Sequence, residues 1–380
     1  MLVVALPRPS FRARAANLTA EFRLDPAILG AFLVSRLLIV AAVFVAEALI
    51  IRNPLLTSGD DAPLLRSLTS WDGWYYLGIV RDGYHVDPVS GLYRDTAFPP
   101  LYPIVVRILS LPWPQFAGLV SVVVSNVAFL LSLGLLARLG EPYLGRRRAS
   151  LAVSLLAIYP FASAFAMAYT ESLFLLVMVG SFLAAERGHR ATAGVLFALA
   201  CLCRLQGVAL LLPLALVMLR QDGWRPRPSL AWLSLGPIAA AAFLAYVGWL
   251  TGSATAFLDA QEAWGREGLG GAAPGKSLAA GFSPYHGALL LTLCWSVFML
   301  VWARRDHLRV EYFLIPVLFI AAELSSGSLE AVGRITMLAF PYVWLLANRR
   351  SLFARRMWPI LSAGLFTAIA ILSFGGYWVP

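Results

Sequence analysis

One aspartate, Asp72, stands among aromatic residues in the segment 70–84, within the first long polar gap of an otherwise apolar chain. A carboxylate in a half-hydrated, aromatic-walled site can act as a general base when burial and neighbouring cations adjust its proton affinity. Trp71 and Tyr75, beside it, are suited to stacking on a sugar ring. The simpler alternative is that Asp72 caps a surface helix and that the aromatic residues form an interfacial belt.

Two arginines, Arg204 and Arg334, each stand at the predicted outer end of an apolar run. A charged side chain at this position is costly unless it has a partner, which makes it a candidate functional residue. Because a planar guanidinium can bind two phosphate oxygens at once, both arginines are predicted to bind a phosphate. The alternative is that they snorkel to the interface. Arg36, in the first apolar run, is predicted to snorkel or to pair with a group on the inner side.

The remaining polar candidates have strong structural alternatives. Glu171 follows Thr170 at the start of an apolar run, where the pair suits a helix N-terminus as well as a substrate contact. Tyr102 belongs to the aromatic set that could stack on a sugar. Asp95 is a candidate substrate contact, second acid or metal ligand, with a solvated loop acid as the alternative. The sequence shows no metal-ligand spacing, no nucleophile triad and no glycine-rich phosphate loop, so no metal and no cofactor is predicted.

The composition is that of a membrane protein. Of the 380 residues, 60% are hydrophobic and 13% are charged, and the mean hydropathy is +0.76. A soluble domain has about 45–50% apolar and about 25% charged residues. The formal net charge is +10. Because the basic residues are spread over short loops between apolar runs, bilayer lipids with anionic head groups are the predicted partner, and nucleic acid is not.

The apolar runs predict about eleven membrane spans. A basic arm at 1–25 precedes the first span at 26–51, which is long enough to cross a hydrocarbon core of about 30 Å. Later spans are predicted at 115–139, 149–167, 171–186, 190–203, 206–220, 229–251, 285–303, 310–324, 334–348 and 357–376. The last four residues of the chain lie beyond these spans.

Residues 26–380 are predicted to form a single transmembrane domain with two long external loops. The loop at 52–114 contains Asp72 and is predicted to hold two interfacial helices, at 71–80 and 98–111. The loop at 252–284 is rich in glycine, alanine and serine and is predicted to be flexible.

The distribution of arginines predicts the orientation of the chain. With the N-terminus in the cytosol, every predicted inner loop contains at least two arginines, as the positive-inside rule requires. Treating 98–111 as a span would move the arginines at 146–148 to the outside. We therefore expect 98–111 to lie along the membrane surface, and we expect the candidate site to face the outside.

Five short motifs occur in an order typical of one family. They are Trp71-Asp72 with Gly83-Tyr84, Ala97-Phe98-Pro99-Pro100-Leu101-Tyr102-Pro103, Tyr169-Thr170-Glu171-Ser172-Leu173-Phe174, Cys203-Arg204-Leu205-Gln206-Gly207, and Arg334 with Phe340-Pro341. Together they resemble the PIG-V-type mannosyltransferases, the GPI mannosyltransferase 2 family, and favour a prokaryotic member. The family usually has two phenylalanines before its Pro-Leu-Tyr-Pro run, whereas here Phe98 is followed by two prolines.

The resemblance implies the GT-C fold, an all-α polytopic membrane fold with its active site on the outer or lumenal face. It also implies a polyprenyl-phosphate sugar as donor, with mannose as the sugar, and a hydroxyl of a lipid-linked or glycan acceptor. Asp72 falls on the family's catalytic aspartate and is expected to be the general base of an inverting transfer. Arg204 and Arg334 would bind the donor phosphate, and Glu171 and Gln206 would contact substrate.

Two other classes of protein remain open. A transporter or flippase for a lipid or amphipathic solute would explain the spans and the arginines, but it predicts inverted repeats and polar groups at mid-membrane. A non-catalytic assembly partner would keep the fold without activity. The expected location is the plasma membrane for a prokaryotic protein and the endoplasmic reticulum membrane for a eukaryotic one.

Overall fold

The computed structural model describes residues 25–51, 62–86, 93–264, 284–348 and 356–377. These residues form helices, and no β-strand occurs among them. The predicted all-helical membrane fold is confirmed. The predicted basic arm at 1–25 lies outside the described residues except for its last residue, and most of the loop predicted at 252–284 lies outside them too.

Sixteen α-helices are defined among the described residues, with short 3-10 helices between some of them. The first eight are α1 (Pro26–Leu49), α2 (Pro63–Leu68), α3 (Asp72–Asp82), α4 (Leu101–Ser110), α5 (Ala117–Leu144), α6 (Arg146–Ala157), α7 (Glu171–Glu186) and α8 (Arg190–Cys203). The others are α9 (Leu211–Gln221), α10 (Leu235–Thr251), α11 (Ala256–Ala263), α12 (Pro284–Arg305), α13 (Val310–Ser325), α14 (Val332–Leu338), α15 (Pro341–Asn348) and α16 (Trp358–Phe374). The 3-10 helices are Arg94–Ala97, Pro114–Phe116, Ala162–Phe165, Leu205–Leu210 and Pro228–Ser234.

Four helical stretches are long and apolar enough to cross a membrane by their length and composition. They are Pro26–Leu49, Pro114–Leu144, Pro228–Thr251 and His286–Arg305. Shorter apolar helices accompany them, at Leu101–Ser110, Arg190–Cys203, Leu205–Gln221 and Trp358–Phe374. The chain is an integral membrane protein. The predicted total of about eleven spans stays a prediction.

Two of the predicted spans are interrupted. Within the span predicted at 149–167, the α-helix ends at Ala157. Pro160 disfavours the helical conformation of the residue before it, Tyr159, and so the helix does not continue. The span predicted at 334–348 is divided into α14 and α15, and Pro341 begins the second of these helices. The prediction of an unbroken helix is wrong in both cases, because proline sets a helix boundary inside an apolar run.

Helix α7 lies at the centre of the helical bundle. Of its 16 residues, 13 are buried, and it packs against α5, α8 and α9. A helix that is apolar on all sides is expected to be buried in this way. The hydroxyl of Ser181 donates a hydrogen bond of 2.8 Å to the carbonyl of Ala193, which links α7 to α8. Glu171, the first residue of α7, is therefore held inside the protein.

Both helices predicted in the first external loop are present, with ends within three residues of the predicted bounds. Helix α4 buries Tyr102, Val106 and Ser110, which are spaced four residues apart. Its opposite face leaves Ile104 and Ile108 exposed at 50% and 59%. One protein-facing stripe and one exposed apolar stripe are typical of a helix that lies at a membrane interface.

The helical hairpin predicted around Arg204 is also present. Arg204 is extended, with φ −151° and ψ 129°, and a 3-10 helix follows it before α9 begins. Gly207 permits this return, because a Cβ at that position would lie 2.8 Å from the carbonyl group of Ala200. The break leaves Arg204 at the end of α8.

Arg36, in α1, behaves differently from its prediction. Its guanidinium carbon lies 4.6 Å from the ring centre of Phe32 and 4.9 Å from that of Phe129. Its three guanidinium nitrogens are buried and have no hydrogen-bond partner among the described residues. The predicted snorkelling or inner partner is therefore wrong, and two cation–π contacts take its place.

Candidate active site

Asp72 begins α3, and the backbone immediately before it is strained. Trp71 has a left-handed φ of 58°, which non-glycine residues rarely adopt and which is typical of functional sites. The indole Nε1 of Trp71 donates a hydrogen bond of 3.0 Å to the backbone carbonyl of Ser373, in α16. Trp71, not Asp72, is the cap residue, and no side chain caps this helix. The alternative hypothesis that Asp72 is a helix cap is therefore wrong.

The carboxylate of Asp72 instead pairs with an arginine. Its Oδ2 accepts a hydrogen bond from Nη1 of Arg334. The same Nη1 lies 3.5 Å from Oε1 of Glu171, which in turn accepts a hydrogen bond of 2.5 Å from Nη1 of Arg204. We call Asp72, Glu171, Arg204 and Arg334 the charge cluster. The structure thus brings together four of the predicted site residues, which come from four separate segments of the chain.

The charge cluster is largely shielded from solvent. The side chains of Glu171, Arg334 and Arg204 are 1%, 7% and 12% exposed, whereas that of Asp72 is 21% exposed. Two carboxylates and two guanidinium groups have a formal net charge of zero, which reduces the cost of removing each charge from water. Asp72 is the member of the cluster most accessible to a substrate.

Polar neighbours orient Arg204. Its Nη1 also donates to Oγ1 of Thr170 at 3.1 Å, and its Nε donates to Oε1 of Gln206 at 3.2 Å. The hydroxyl of Thr170 lies 3.3 Å from Oη of Tyr76 and makes no capping bond to α7. Thr170 thus occupies the N-cap position of α7 as expected, but its side chain does not cap the helix. Gln206, a predicted substrate contact, holds Arg204 in this structure, and its contact with substrate stays a prediction.

The position of Arg334 depends on close packing of α14. All seven residues of α14 are buried. A Cβ on Gly333 would lie 2.4 Å from Cδ1 of Phe161, so the backbone beside Arg334 rests directly against this aromatic ring. The guanidinium carbon of Arg334 also lies 5.7 Å from the ring centre of Tyr169, a fully buried residue. Tyr169 was not singled out from the sequence, although it stands directly before Thr170 in one of the motifs.

An aromatic group lies one helical turn beyond Asp72. The ring of Tyr75 stacks on Phe98, with centres 5.2 Å apart, and meets the edge of Trp264 at 4.8 Å. The indole Nε1 of Trp264 donates a hydrogen bond of 3.3 Å to the carbonyl of Arg94. A predicted sugar contact of Tyr75 must use the part of its ring that these neighbours leave uncovered. Trp264 was missed in the sequence, because it is far from Tyr75 along the chain, in the segment predicted as the second external loop.

Tyr102 does not fit its predicted role. Its side chain is 0% exposed, and its hydroxyl donates a hydrogen bond of 2.8 Å to the carbonyl of Ser121. The same hydroxyl lies 2.9 Å from Oγ of Ser125. The ring is enclosed between α4 and α5, so it has no face on which a sugar could stack. The prediction of Tyr102 as a substrate contact is wrong, and the residue joins two helices.

Asp95 lies in a different local network from the charge cluster. Its Oδ2 accepts a hydrogen bond of 2.7 Å from the backbone N–H of His85 and lies 3.1 Å from Nδ1 of the same residue. Burial raises the pKa of Asp95 above its ordinary value. The described residues contain no group of three or more histidine, cysteine or acidic side chains placed to hold a metal ion. These contacts tie the end of α3 to the 3-10 helix that contains Asp95.

The charge cluster has the groups that a reaction at a phosphate ester requires. Guanidinium groups bind phosphate oxygens in bidentate fashion, and a carboxylate can accept a proton from an attacking hydroxyl. Nε of Arg334 and Oε2 of Glu171 are buried and have no hydrogen-bond partner within the described part of the chain. The cluster therefore keeps hydrogen-bonding capacity that its own members do not use.

The helical arrangement is that of the GT-C fold. The structure is similar to ArnT from Cupriavidus metallidurans bound to undecaprenyl phosphate, with a TM-score of 0.50 and 16% identity, over 84% of this chain and 59% of that one. It is also similar to the oligosaccharyltransferase of Archaeoglobus fulgidus tethered with an acceptor peptide. That TM-score is 0.51 with 14% identity, over 93% of this chain and 56% of that one.

The sequence gives a narrower assignment within this fold. Residues 37–221 match the family described as Mannosyltransferase (PIG-V), so the family resemblance predicted from the motifs is confirmed. The chain is 30% identical to GPI mannosyltransferase 2 from Chaetomium globosum over 199 residues, which are 43% of this chain. The match spans 41% of that protein's length. The matched family segment contains Asp72, Glu171 and Arg204, and Arg334 lies beyond it.

Proposed function

We propose that this protein is a membrane glycosyltransferase that moves a sugar, with mannose as the favoured one, from a polyprenyl-phosphate donor to a lipid-linked or glycan acceptor. The observation that carries the proposal is the ion-paired contact of Asp72 with Arg334 beside Glu171 and Arg204. The family match supports a mannosyltransferase. The undecaprenyl phosphate bound by the ArnT of similar fold supports a prenyl-phosphate donor.

In the proposed reaction, a hydroxyl oxygen of the acceptor attacks the anomeric carbon of the donor sugar. The bond between that carbon and the phosphate oxygen breaks, and its electron pair stays with the phosphate. Asp72 takes the proton of the acceptor hydroxyl as general base. Attack from the face opposite the leaving phosphate inverts the anomeric centre.

Arg204 and Arg334 have an electrostatic role in this proposal. The leaving group gains one negative charge as the glycosidic bond breaks, and preorganised cations in a shielded site stabilise such a charge strongly. Glu171 contacts both guanidinium groups and so holds them close to each other and to Asp72. The prenyl tail would lie in the membrane between helices. No step of this reaction requires a metal or another cofactor.

The proposal places the charge cluster on the outer or lumenal side of the membrane, with the N-terminus in the cytosol. This orientation follows from the positive-inside distribution of arginines. For a prokaryotic protein the membrane is the plasma membrane. Residues 26–380 would act as one transmembrane catalytic domain, with 52–114 as its catalytic loop and 252–284 as a flexible loop.

The test is transfer of labelled mannose from a purified polyprenyl-phosphate mannose donor by the protein in lipid nanodiscs. Asp72→Asn should reduce transfer about 100-fold or more, because general-base catalysis contributes about 100- to 10,000-fold. Asp82→Asn, at the exposed other end of the same helix, is the matched control and should keep wild-type activity. Wild-type transfer by Asp72→Asn would refute the assignment. Membrane transport without transfer would instead favour the flippase hypothesis.

A further inference from the structure

The two arginines of the charge cluster are held very differently. Arg204 bonds to three side chains through two of its nitrogens: Glu171 at 2.5 Å, Thr170 at 3.1 Å and Gln206 at 3.2 Å. Arg334 uses only Nη1 for its contacts with Asp72 and Glu171, and its Nε has no hydrogen-bond partner among the described residues. Arg334 is therefore the arginine that is held through fewer of its donor nitrogens.

The two carboxylates of the cluster also differ. Glu171 is 1% exposed and contacts both arginines, whereas Asp72 is 21% exposed and contacts Arg334. Breaking the buried contacts of Glu171 would leave a charge without solvent, which is costly. Separating Asp72 from Arg334 leaves a carboxylate that is already partly hydrated. The contact between Asp72 and Arg334 is therefore the easiest ion pair of the cluster to open.

A phosphodiester donor adds one negative charge to a cluster that is already neutral. The phosphate and the carboxylates then compete for the same two guanidinium groups, so an arginine that turns towards the phosphate weakens its contact with a carboxylate. The difference between the two arginines identifies Arg334 as the one that changes partner, while Glu171 continues to hold Arg204.

We propose that Arg334 exchanges partners: it pairs with Asp72 in the empty protein and with the donor phosphate once the donor is bound. This inference rests on the proposed function. A carboxylate paired with a guanidinium accepts a proton less readily than one that is released from it. Donor binding would thus free Asp72 to act as a base only when the donor sugar is in place.

The charges balance through the reaction. When Asp72 takes the acceptor proton, it loses one negative charge, and the departing prenyl phosphate gains one. Arg334, between these two groups, faces the phosphate when its charge increases. The total charge of the cluster and its ligand is unchanged.

The test is a binding measurement that needs no turnover. The probe is undecaprenyl methyl phosphate, a diester with a single charge that has no sugar to transfer. If Arg334 must leave Asp72 to bind the phosphate, then Asp72→Asn removes the competitor and should tighten binding of the probe about tenfold, which corresponds to about 1.4 kcal/mol. A carboxylate that itself contacts the donor would predict weaker binding after this substitution.

A double-mutant cycle separates partner exchange from simple charge repulsion. In an Arg334→Gln background, Asp72→Asn should no longer tighten binding. In the matched Arg204→Gln background it should still do so, because Arg204 pairs with Glu171 and not with Asp72. Arg81→Gln, an exposed arginine near the end of α3, should leave binding unchanged. Tightening that persists without Arg334 would show direct repulsion between Asp72 and the phosphate and would overturn the exchange.

Thermal unfolding in nanodiscs checks that each variant is folded. If Arg334→Gln alone does not fold, the double variant Asp72→Asn/Arg334→Gln, in which both members of the ion pair are neutral, replaces it in the comparison. It should bind the probe about tenfold more weakly than Asp72→Asn, because it lacks the guanidinium that binds the phosphate, and equal binding by the two variants would overturn the exchange. Loss of transfer in Asp72→Asn without tighter probe binding would refute the exchange and leave the proposed function standing.

Discussion

Oε1 of Glu171 lies 2.5 Å from Nη1 of Arg204, and this ion pair joins the first residue of α7 to the residue that follows α8. Both side chains are nearly free of solvent contact. Because the same carboxylate also lies 3.5 Å from Arg334, Glu171 holds both guanidinium groups near Asp72. The geometry of the site therefore depends on Glu171 as much as on the predicted base.

Replacement of Glu171 by alanine should damage both stability and transfer. Removing one partner of a buried ion pair costs about 3–5 kcal/mol, because the other charge is left unpaired. We expect a lower unfolding temperature and a loss of transfer of about 100-fold or more. Glu330→Ala, at an exposed position, is the control and should behave as wild type. Normal unfolding and transfer by Glu171→Ala would show that the two arginines are held by other contacts.

Replacement of Gly333 by alanine should move Arg334 without changing any charge. The added Cβ would meet the ring of Phe161 at 2.4 Å, so α14 must shift. Overpacking of this kind costs about 1–3 kcal/mol. We expect transfer to fall about tenfold or more. Gly364→Ala, in α16, has no atom within 4 Å of the new Cβ and should keep wild-type transfer. Equal behaviour of the two variants would contradict the packing argument.

Replacement of Trp71 by phenylalanine should test whether the indole hydrogen bond of Trp71 holds the neighbouring Asp72 in place. The variant keeps an aromatic ring but loses the indole hydrogen bond to the carbonyl of Ser373. A hydrogen bond of this type contributes about 1 kcal/mol. We expect kcat to fall about five- to tenfold with little change in the KM for the donor, because the base is displaced while the phosphate contacts remain. The control is Trp249→Phe, at a site 79% exposed.

If Trp71→Phe changes the KM for the donor but not kcat, Trp71 has a different role. In that outcome the indole would contact the substrate, as predicted from the sequence, and its bond to Ser373 would not be needed to hold Asp72.

Asp95 should make folding stability depend on pH. Burial raises the pKa of Asp95 in the folded protein, so the folded state binds a proton more tightly than the unfolded state. This contribution to stability is therefore greatest in acid and is lost as pH rises from the ordinary aspartate pKa of 3.8 through the raised folded value. Asp95→Asn cannot titrate. The unfolding temperature of wild type relative to this variant should therefore fall as the pH rises above the ordinary aspartate pKa of 3.8.

Activity of the same variant decides whether Asp95 has a chemical role. An asparagine can still accept the hydrogen bond that Asp95 receives from the backbone of His85. If Asp95 is only structural, Asp95→Asn should keep transfer within about twofold of wild type at neutral pH. A large loss of transfer with a normal unfolding temperature would support the sequence-based hypothesis of a second acid.

The local sequence was sufficient to predict the helices closest to the site. The ends of α7 and α8 agree with the predicted bounds at 171–186 and 190–203, and the interruption at Arg204 was predicted too. These features depend on the length of apolar runs and on the few residues between them. Prolines inside apolar runs, such as Pro160 and Pro341, caused the main errors, because proline ends a helix without making the sequence polar.

The motifs also predicted which residues gather at the site, but not which of them make contact. Asp72 and Arg334 are 262 residues apart in the chain, and no local pattern encodes their ion pair. The same limit explains Trp264, which contacts Tyr75 only when two segments that are distant in the sequence pack together. It also explains Tyr102, whose aromatic ring suits a sugar as well as a helix interface.

The sequence by itself thus determined a helical membrane protein with acidic and basic residues at predictable helix ends. Those properties follow from composition and short-range pattern, because the cost of polar groups in lipid acts on each segment separately. Only the tertiary structure decided that Glu171 bridges both arginines, that Asp72 is the most exposed member of the charge cluster and that Tyr102 is buried. These relationships arise when distant helices pack, since packing determines which charges must neutralise one another.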